Sequence, residues 1–564
     1  MIIIGAMTFS HDAAAAIVKD GRLLYAAEEE RFNREKHTPK FPHNAIRACL
    51  DFAKISMEDV DVFCVPTDPV AHVRLRFIRH WLNHYPQVRP RMESEFKWIN
   101  RVMDIEKEIR EQLNFKKEVA FCRHHIAHMA SAYYLSGFSH SALLSVDGVG
   151  EIESLMIGRG QDNHIYTYEE NNVEWPSSLG VLYTCITGWL GFKKHCDEGK
   201  IMGLAPYGNI EKYREVFDDI IQLKPNGKFE MDLSYFDYPF IQGSTMSSKF
   251  AEICGPAREP QEKITQQHKD IAAGAQYITE KALVHAANNL HLETGESNLC
   301  LAGGVALNCV ANGKILTETP FKNIFIQPAA NDAGLGIGAA LNYHYQANPE
   351  AKRNTMENAY LGNEYTDEQI KSVLINNSVK YTDPKDLFLL VAKLLADQKI
   401  IAWFNGRFEF GPRALGNRSI LTAPFPAEIK DILNSRVKHR EGFRPFAPIV
   451  LEEDCGEYFD NTHQSPYMLL TYGVRKEKRS IVPAITHIDG TARVQTLKEE
   501  QNPNLYKLLK AFKHLTGIGV ILNTSFNVMG QPIINTPQEA IDCFLGTDID
   551  YLVLNARYLV AKTA

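Results

Sequence analysis

The sequence predicts an α/β protein of two successive domains, residues 1–350 and 351–564, and three observations carry that reading. Short apolar runs alternate with segments of helical periodicity along most of the chain. The 564 residues exceed the roughly 250–300 at which a single hydrophobic core stops growing. The polar, proline-containing stretch QANPEAKRNTMENAY (346–360) separates two such alternating regions and reads as a linker.

MIIIGAM is the first strand, followed by the polar turn SHD, the strand AAAAIV, the turn KDG and the strand RLLYAAEEER. A helix follows over HNAIRACLDFAKI, where Ile46, Cys49, Leu50 and Ala53 recur at helical spacing. VDVFCVP is a short buried strand. The segment 68–115, rich in Arg, His, Trp and Phe, is helical and interrupts the strand pattern. EVAFCRHHIAHMASAYYLSGF runs from strand into helix. SALLSVDGVG is an apolar strand ending in an acidic, glycine-rich turn, and SLMIGRGQDNHIYTYEE continues its hairpin. SNLCLAGGVALNCVANGKI reads as strand, Gly-Gly loop and helix, and FKNIFIQPAANDAGLGIGAALNYH repeats that scheme. Beyond the linker come the helix LFLLVAKLLADQ and the strand IIAWFNG. No repeat at solenoid periods and no low-complexity tract is present.

Composition narrows the function classes. A 45% hydrophobic, 23% charged chain is an ordinary globular one, and a net charge of -7 argues against a general nucleic-acid binder. No apolar run approaches the roughly 18–20 residues of a membrane span. MIIIGAMTF lacks the basic n-region of a signal peptide, so a cytoplasmic protein is expected. Ten cysteines without a CxxC pair indicate neither a disulfide framework nor a zinc finger.

Against that acidic background, GRFEFGPRALGNRSI (406–420) and NSRVKHREGFRPFAP (434–448) concentrate Arg407, Arg413, Arg418, Arg436, Lys438, Arg440 and Arg444. Guanidinium forks and a lysine among glycines and phenylalanines predict a pocket for a small, highly charged anion. HIDGTARVQ adds Arg493, and LNTSFN adds the small polar groups Asn523 and Ser525.

In the first half, HHIAH places His124 and His128 at i, i+4 on one helix face, with His125 as the natural non-ligand. Asp147 and Asp332 each follow an apolar strand directly. Two histidines and two aspartates form a mixed N/O set suited to Fe(II), Mn(II) or Zn(II). Gly303 and Gly304 allow backbone to approach a nucleotide closely, with tight helix packing as the plain alternative. Glu198 and Lys200, in CDEGKIMGLAPYG, either touch nucleotide or acceptor or form a surface ion pair. His11, beside Asp12, is the candidate general base.

HHIAH, SVDGVGE, GKIMGLAPYG, GGVALN, PAANDAG, EFGPRALGNRSI, VKHREGFRPFAP, HIDGTARVQ and LNTSFN together resemble the ATP-dependent O-carbamoyltransferases of the NodU/CmcH family, in order and across nearly the whole chain. That resemblance implies an N-terminal Kae1-like, actin-like ATPase (ASKHA) domain and a C-terminal YrdC-like domain. It further implies that carbamoyl phosphate and ATP, with Mg2+, give carbamoyl-adenylate in the second domain. Transfer to a small-molecule hydroxyl acceptor would follow at the metal of the first, which is iron in relatives. By the same resemblance Arg413, Lys438, Arg444, Arg493, Asn523 and Ser525 match the carbamoyl-phosphate site. His124, His128, Asp147 and Asp332 match the metal site, and Gly303, Gly304 and Asn308 the adenosine loop. The first turn, with Ser10, His11 and Asp12, departs from the Asp-x-Gly of sugar kinases. The rival expectations are a threonylcarbamoyl-type tRNA modifier and an actin-like, nucleotide-gated binding module. A homodimer is the default expectation.

Overall fold

The computed structural model describes residues 1–8, 11–81, 89–241 and 243–562. Ser10 of the first turn and residues 82–88 of the segment 68–115 lie outside that set. Contacts divide the chain into two compact units, one of Met1–Glu29 with His37–Met356, the other of Glu30–Lys36 with Glu357–Ala564.

Unit 1 is built on two sheets of like topology. In the first, β1 (Ile2–Met7), β2 (Ala14–Lys19), β3 (Arg22–Glu28), β4 (Val62–Val65) and β5 (Glu118–Phe121) lie in the order β3-β2-β1-β4-β5. The hairpin strands β1 to β3 are antiparallel, and β4 and β5 add in parallel beside β1. The second sheet is made of β6 (His140–Val146), β7 (Glu153–Gln161), β8 (His164–Thr167) and β9 (Val173–Glu174), with two later strands. Between these a two-stranded ribbon forms from β10 (Ile221–Leu223) and β11 (Phe229–Met231). The later strands are β12 (Asn298–Ala302) and β13 (Asn323–Ile326), giving the order β13-β12-β6-β7-β8, with β9 pairing β7. Again a hairpin meander comes first and two parallel strands extend the sheet. The sequence carries no repeat that announces this duplication, because topology is conserved by burial pattern and not by residue identity.

Central β1 is buried on both faces and accordingly reads as a continuous run, with Ile3, Ile4 and Ala6 at 0% exposure. Against it packs the helix Leu335–Ala347, whose buried residues are mostly Gly, Ala and Leu. The same helix lies against helix His124–Tyr133 so closely that a Cβ on Gly338 would stand 1.7 Å from the Ala127 carbonyl oxygen. That contact sets the loop carrying Asp332 beside the HHIAH helix. Segment 68–115 is helical where described, with helices over Arg89–Met103 and Ile105–Leu113.

Unit 2 holds one eight-stranded mixed sheet. Its strands are β14 (Ile401–Phe404), β15 (Arg418–Thr422), β16 (Ala447–Leu451), β17 (Leu470–Gly473), β18 (Thr491–Leu497), β19 (Val520–Ser525), β20 (Tyr551–Leu554) and β21 (Tyr558–Ala561). They lie in the order β17-β18-β16-β19-β15-β14-β20-β21. One difference from the sequence reading concerns residues 30–36. The run RLLYAAEEER does not remain a strand: β3 ends at Glu28, Glu30–Asn33 forms a helical turn, and this piece packs within unit 2. Arg31 lies over the Phe408 ring and donates to the Gly411 carbonyl at 2.9 Å, while Arg34 donates to the carbonyls of Pro532 and Ile533, both at 2.8 Å. Among the described residues no helix is long and apolar enough to cross a membrane.

Candidate functional site

Asp147 follows β6 and Asp332 follows β13, while His124 and His128 occupy adjacent turns of one helix, so four side chains from three elements meet. Their ligand atoms all lie within 4.8 Å of one another. Nε2 of His124 and of His128 each stand 3.0 Å from Asp147 Oδ2, and Asp332 Oδ1 is 3.8 and 3.9 Å from the same two nitrogens. Burial opposes charge on His124, yet the hydrogen bond to Asp147 and the nearby carboxylates raise it to about 9. Burial and the Asp147 carboxylate push Asp332 above its usual range. Two carboxylates facing two imidazoles make a centre that attracts positive charge. His128 Nδ1 is buried without a hydrogen-bond partner among the described residues. Two imidazole nitrogens and two carboxylates fit a divalent first-row cation. His125 is held apart from this set, with Nδ1 2.7 Å from Ser145 Oγ and Nε2 2.8 Å from the Glu153 carbonyl oxygen.

The Gly-Gly loop serves this centre by its backbone. Gly303 has φ +96°, and a Cβ there would stand 2.1 Å from the Val146 carbonyl oxygen. The turn so formed lets Gly304 N–H donate to Asp147 Oδ1 at 3.1 Å, orienting the carboxylate from its far side. Asn308 begins the helix that follows this loop. Its Oδ1 accepts from Ala311 N–H as a helix cap, and its carboxamide pairs in both directions with Gln276.

Asp12 gathers three neighbours. His11 Nδ1 donates to its Oδ2 at 3.0 Å, His37 Nδ1 to its Oδ1 at 2.5 Å, and Asn331 Nδ2 to its Oδ2 at 2.9 Å. Burial works against a charged His11, but the hydrogen bond to Asp12 and the carboxylates of Asp332, Asp12 and Asp147 raise it to about 9. The His11 ring stacks on His195 with centroids 5.5 Å apart. Glu198 is drawn into the same local structure, since its Oε1 accepts from His195 N–H and Thr184 Oγ1. Lys200 pairs with Asp197 at 3.1 Å and lies over the Phe192 ring.

The seven cations of 406–448 do not act as one set. Arg418 is fully buried, stacked on Phe404, with Nη1 donating to the carbonyls of Asn405, Gly406 and Asn417. Arg407 grips the carbonyls of Leu361 and Gly362, and Arg436 is exposed. Lys438 is buried with four acceptors around Nζ, the carbonyl and Oγ of Ser525 and the carbonyl and Oδ1 of Asn527. Burial, with Arg440 and Arg444 adding repulsion, holds it well below the usual lysine range. It braces the 525–527 turn that presents Ser525.

The remaining cations do converge. Register places Asn523 opposite Ala447 and Gln495 opposite Ile449, so Arg493, Gln495, Asn523 and Ser525 share one face of the sheet. Burial, then repulsion from Arg444 and Arg493, lowers Arg440 to about 9 against the partial relief of Glu441. Arg440 is aligned by Asn434 Oδ1 and the Phe446 ring. Asn523 Nδ2 and Gln495 Nε2, each at 2.9 Å, hold the carbonyls of Ala414 and Leu415, bringing the Arg413 loop onto this same face. A separate open cleft of about 390 Å³ in unit 2 is lined largely by asparagines, including Asn405, Asn417 and Asn502. Its lining also includes Arg407, whose guanidinium is held by the Leu361 and Gly362 carbonyls.

Comparison with known proteins decides the family. Residues 2–341 match the family described as Carbamoyltransferase N-terminus, and residues 392–562 match Carbamoyltransferase C-terminus. The chain belongs to the carbamoyltransferase family. It is an O-carbamoyltransferase of the NodU/CmcH type, hence a transferase enzyme. An uncharacterised protein of Synechocystis sp. is 41% identical to this carbamoyltransferase, over 100% of the chain and 97% of its own length. Nodulation protein NolNO of Sinorhizobium fredii is 37% identical, over 99% of the chain and 80% of its own length. The 3'-hydroxymethylcephem-O-carbamoyltransferase of Amycolatopsis lactamdurans is 28% identical, over 96% of each.

Several residues that shape the carbamoyltransferase's two clusters escaped the sequence reading. His37 reaches Asp12 from 25 positions away with no motif around it. Glu151 accepts His124 N–H on both oxygens, each at 3.1 Å, and Asp68 N–H at 3.0 Å, fixing the start of the HHIAH helix. Its place in SVDGVGE was the available signal. Glu409, in EFGPRALG, accepts three backbone N–H groups.

Proposed function

We propose that this carbamoyltransferase activates carbamoyl phosphate with ATP as carbamoyl-adenylate in a YrdC-like unit 2, then transfers the carbamoyl group to a small-molecule hydroxyl in a Kae1-like unit 1. The carrying observation is the gathering of Arg440, Arg444 and Arg493 beside the sheet face of Asn523 and Ser525: burial, then repulsion from Arg444 and Arg493, lowers Arg440 to about 9, with partial offset from Glu441. Such a gathering is stabilised by a multiply charged anion, and two reacting anions need those cations before they approach one another. Asn523 and Ser525 on the same face add neutral groups suited to the carbamoyl end. The like topology of the two sheets in unit 1 supports the actin-like ATPase reading.

Atom balance defines the steps. Water releases phosphate from carbamoyl phosphate, and the carbamate oxygen bonds to the α-phosphorus of ATP as pyrophosphate leaves. The acceptor oxygen then bonds to the carbamoyl carbon, AMP departs, and the hydroxyl proton passes to a base. His11 is the proposed base, with Asp12 holding Nδ1. Because the ring is raised to about 9, it is the deprotonated form, with Nε2 open, that takes the hydroxyl proton, so transfer is expected to rise with pH toward that value. His124, His128, Asp147 and Asp332 would hold a divalent ion, with Gly304 N–H fixing Asp147. The ion's chemistry there would be Lewis-acid polarisation of an oxygen. Carbamoyl-adenylate is a mixed anhydride sensitive to water, so enclosed space favours transfer over hydrolysis. The cephem relative's name specifies a hydroxymethyl group as the site of O-carbamoylation, which supports an alcohol acceptor here.

The test is carbamoyl-phosphate-dependent release of pyrophosphate from ATP by the full chain, with Arg493→Ala beside it. Wild type is expected to release pyrophosphate only with carbamoyl phosphate present, and Arg493→Ala to lose at least about a hundredfold, as for removal of a preorganised charge-stabilising group. Release that ignores carbamoyl phosphate, or an Arg493→Ala enzyme of normal rate, refutes the reading.

A further inference from the structure

We propose that Glu409 is a positioning residue for carbamoyl phosphate, its buried carboxylate being the internal anion around which the loop bearing Arg413 is folded. The inference rests on reading unit 2 as the carbamoyl-phosphate site.

Glu409 is 0% exposed. Its Oε1 accepts from the backbone N–H groups of Leu415 at 2.8 Å, Asn417 at 2.7 Å and Arg418 at 3.1 Å. Three backbone donors from one short turn, converging on one oxygen, make an anion-binding concavity occupied by the protein's own charge. The rest of the loop is fixed from outside. Gly416 N–H donates to Ser419 Oγ at 3.0 Å, and the Leu415 carbonyl accepts from Tyr360 Oη at 2.8 Å and Gln495 Nε2 at 2.9 Å. The Ala414 carbonyl accepts from Asn523 Nδ2 at 2.9 Å. The run that follows Arg413 is therefore held rigid before any ligand arrives.

This arrangement joins the loop to the proposed site. Gln495 and Asn523 reach the loop from the face that carries Arg493 and Ser525, so displacing 414–418 displaces Arg413 relative to that face. Glu409 is enclosed and meets no substrate; it acts through the loop. Charged acceptors bind N–H groups roughly twice as strongly as neutral ones, so a neutral side chain of equal size loosens the loop without emptying the space. Glu409→Gln meets that requirement. It retains an acceptor at Oε1 but removes the charge, and the new amide group falls at Oε2, which has no hydrogen-bond partner among the described residues.

The experiment compares full-length wild type and E409Q by carbamoyl-phosphate-dependent pyrophosphate release, with thermal unfolding of both. We expect KM for carbamoyl phosphate to rise about tenfold or more, equivalent to about 1.4 kcal/mol, while KM for ATP moves less than about twofold. A purely structural residue would instead lower Tm and kcat at constant KM, and that result overturns the proposal. If E409Q does not fold, amide exchange in the wild type decides. Protection at Leu415, Asn417 and Arg418 that is full without carbamoyl phosphate supports a preformed loop, and protection appearing only after its addition overturns it. If wild type itself shows no carbamoyl-phosphate dependence, the reading of unit 2 fails and this inference with it, an outcome visible without the variant.

Discussion

Asp12 adopts φ +62°, a conformation that side-chain hydrogen bonding makes tolerable for aspartate, and from there it holds two imidazoles and Asn331. The His11–Asp12 adjacency was open to view in the sequence; the contribution of His37 was not, because only the folded chain closes that interval. The four-residue set of His124, His128, Asp147 and Asp332 was legible for the opposite reason. Helical i, i+4 spacing and, for Asp147, the position just past β6 are local properties that survive into the fold, whereas Asp332 stands in a helical turn well beyond the end of β13 at Ile326. At this scale the prediction is that His128→Ala, purified in parallel with wild type, binds a divalent metal at least about tenfold more weakly by competition with a chelator. Far-ultraviolet circular dichroism confirms folding, and unchanged metal affinity would remove His128 from the ligand set.

Among the elements, the helix Cys309–Glu318 begins at Asn308, whose capping bond to Ala311 N–H and pairing with Gln276 occupy most of its hydrogen-bonding capacity. Asn308→Ala should therefore cost about 1 kcal/mol of stability or more, as loss of an N-cap does, seen as a lower urea midpoint. A nucleotide contact would instead show as a higher KM for ATP, so the two assignments give different readouts. The 29-residue helix Gln266–Thr294 drew no assignment from sequence. Its buried positions include Ala272, Ala273, Gly274 and Ala275, which present little hydrophobic contrast, so its packing depends on fit and not on an apolar stripe. The basic cluster was likewise only half legible. Composition announces many cations between 406 and 448, but the β15 register, which pairs Ser419 and Leu421 with Ser525 and Asn523, puts Arg418 on the sheet face opposite theirs.

For the molecule as a whole, the two-unit division falls at 356/357, close to the 350/351 boundary read from composition, but unit 2 also recruits residues 30–36. Arg34 anchors that excursion through the carbonyls of Pro532 and Ile533 and an ion pair with Glu539 at 3.5 Å. Arg34→Ala is expected to speed limited proteolysis within 29–37, with the early cut there at least about fivefold faster, the effect of roughly 1 kcal/mol on local opening. Equal cleavage rates would show that Arg31 and its neighbours suffice.

By itself the sequence determined the α/β class, the carbamoyltransferase family and the types of residue available for chemistry, because alternation, the strand-end Asp147 and motif order are written in neighbouring positions. Tertiary structure alone decided which cations gather on one sheet face, that Lys438 and Arg418 brace backbone, and that Glu409 sits inside the Arg413 loop. Those outcomes depend on strand register and on which carbonyls lie within about 3 Å of a buried donor, quantities fixed only when distant segments pack together.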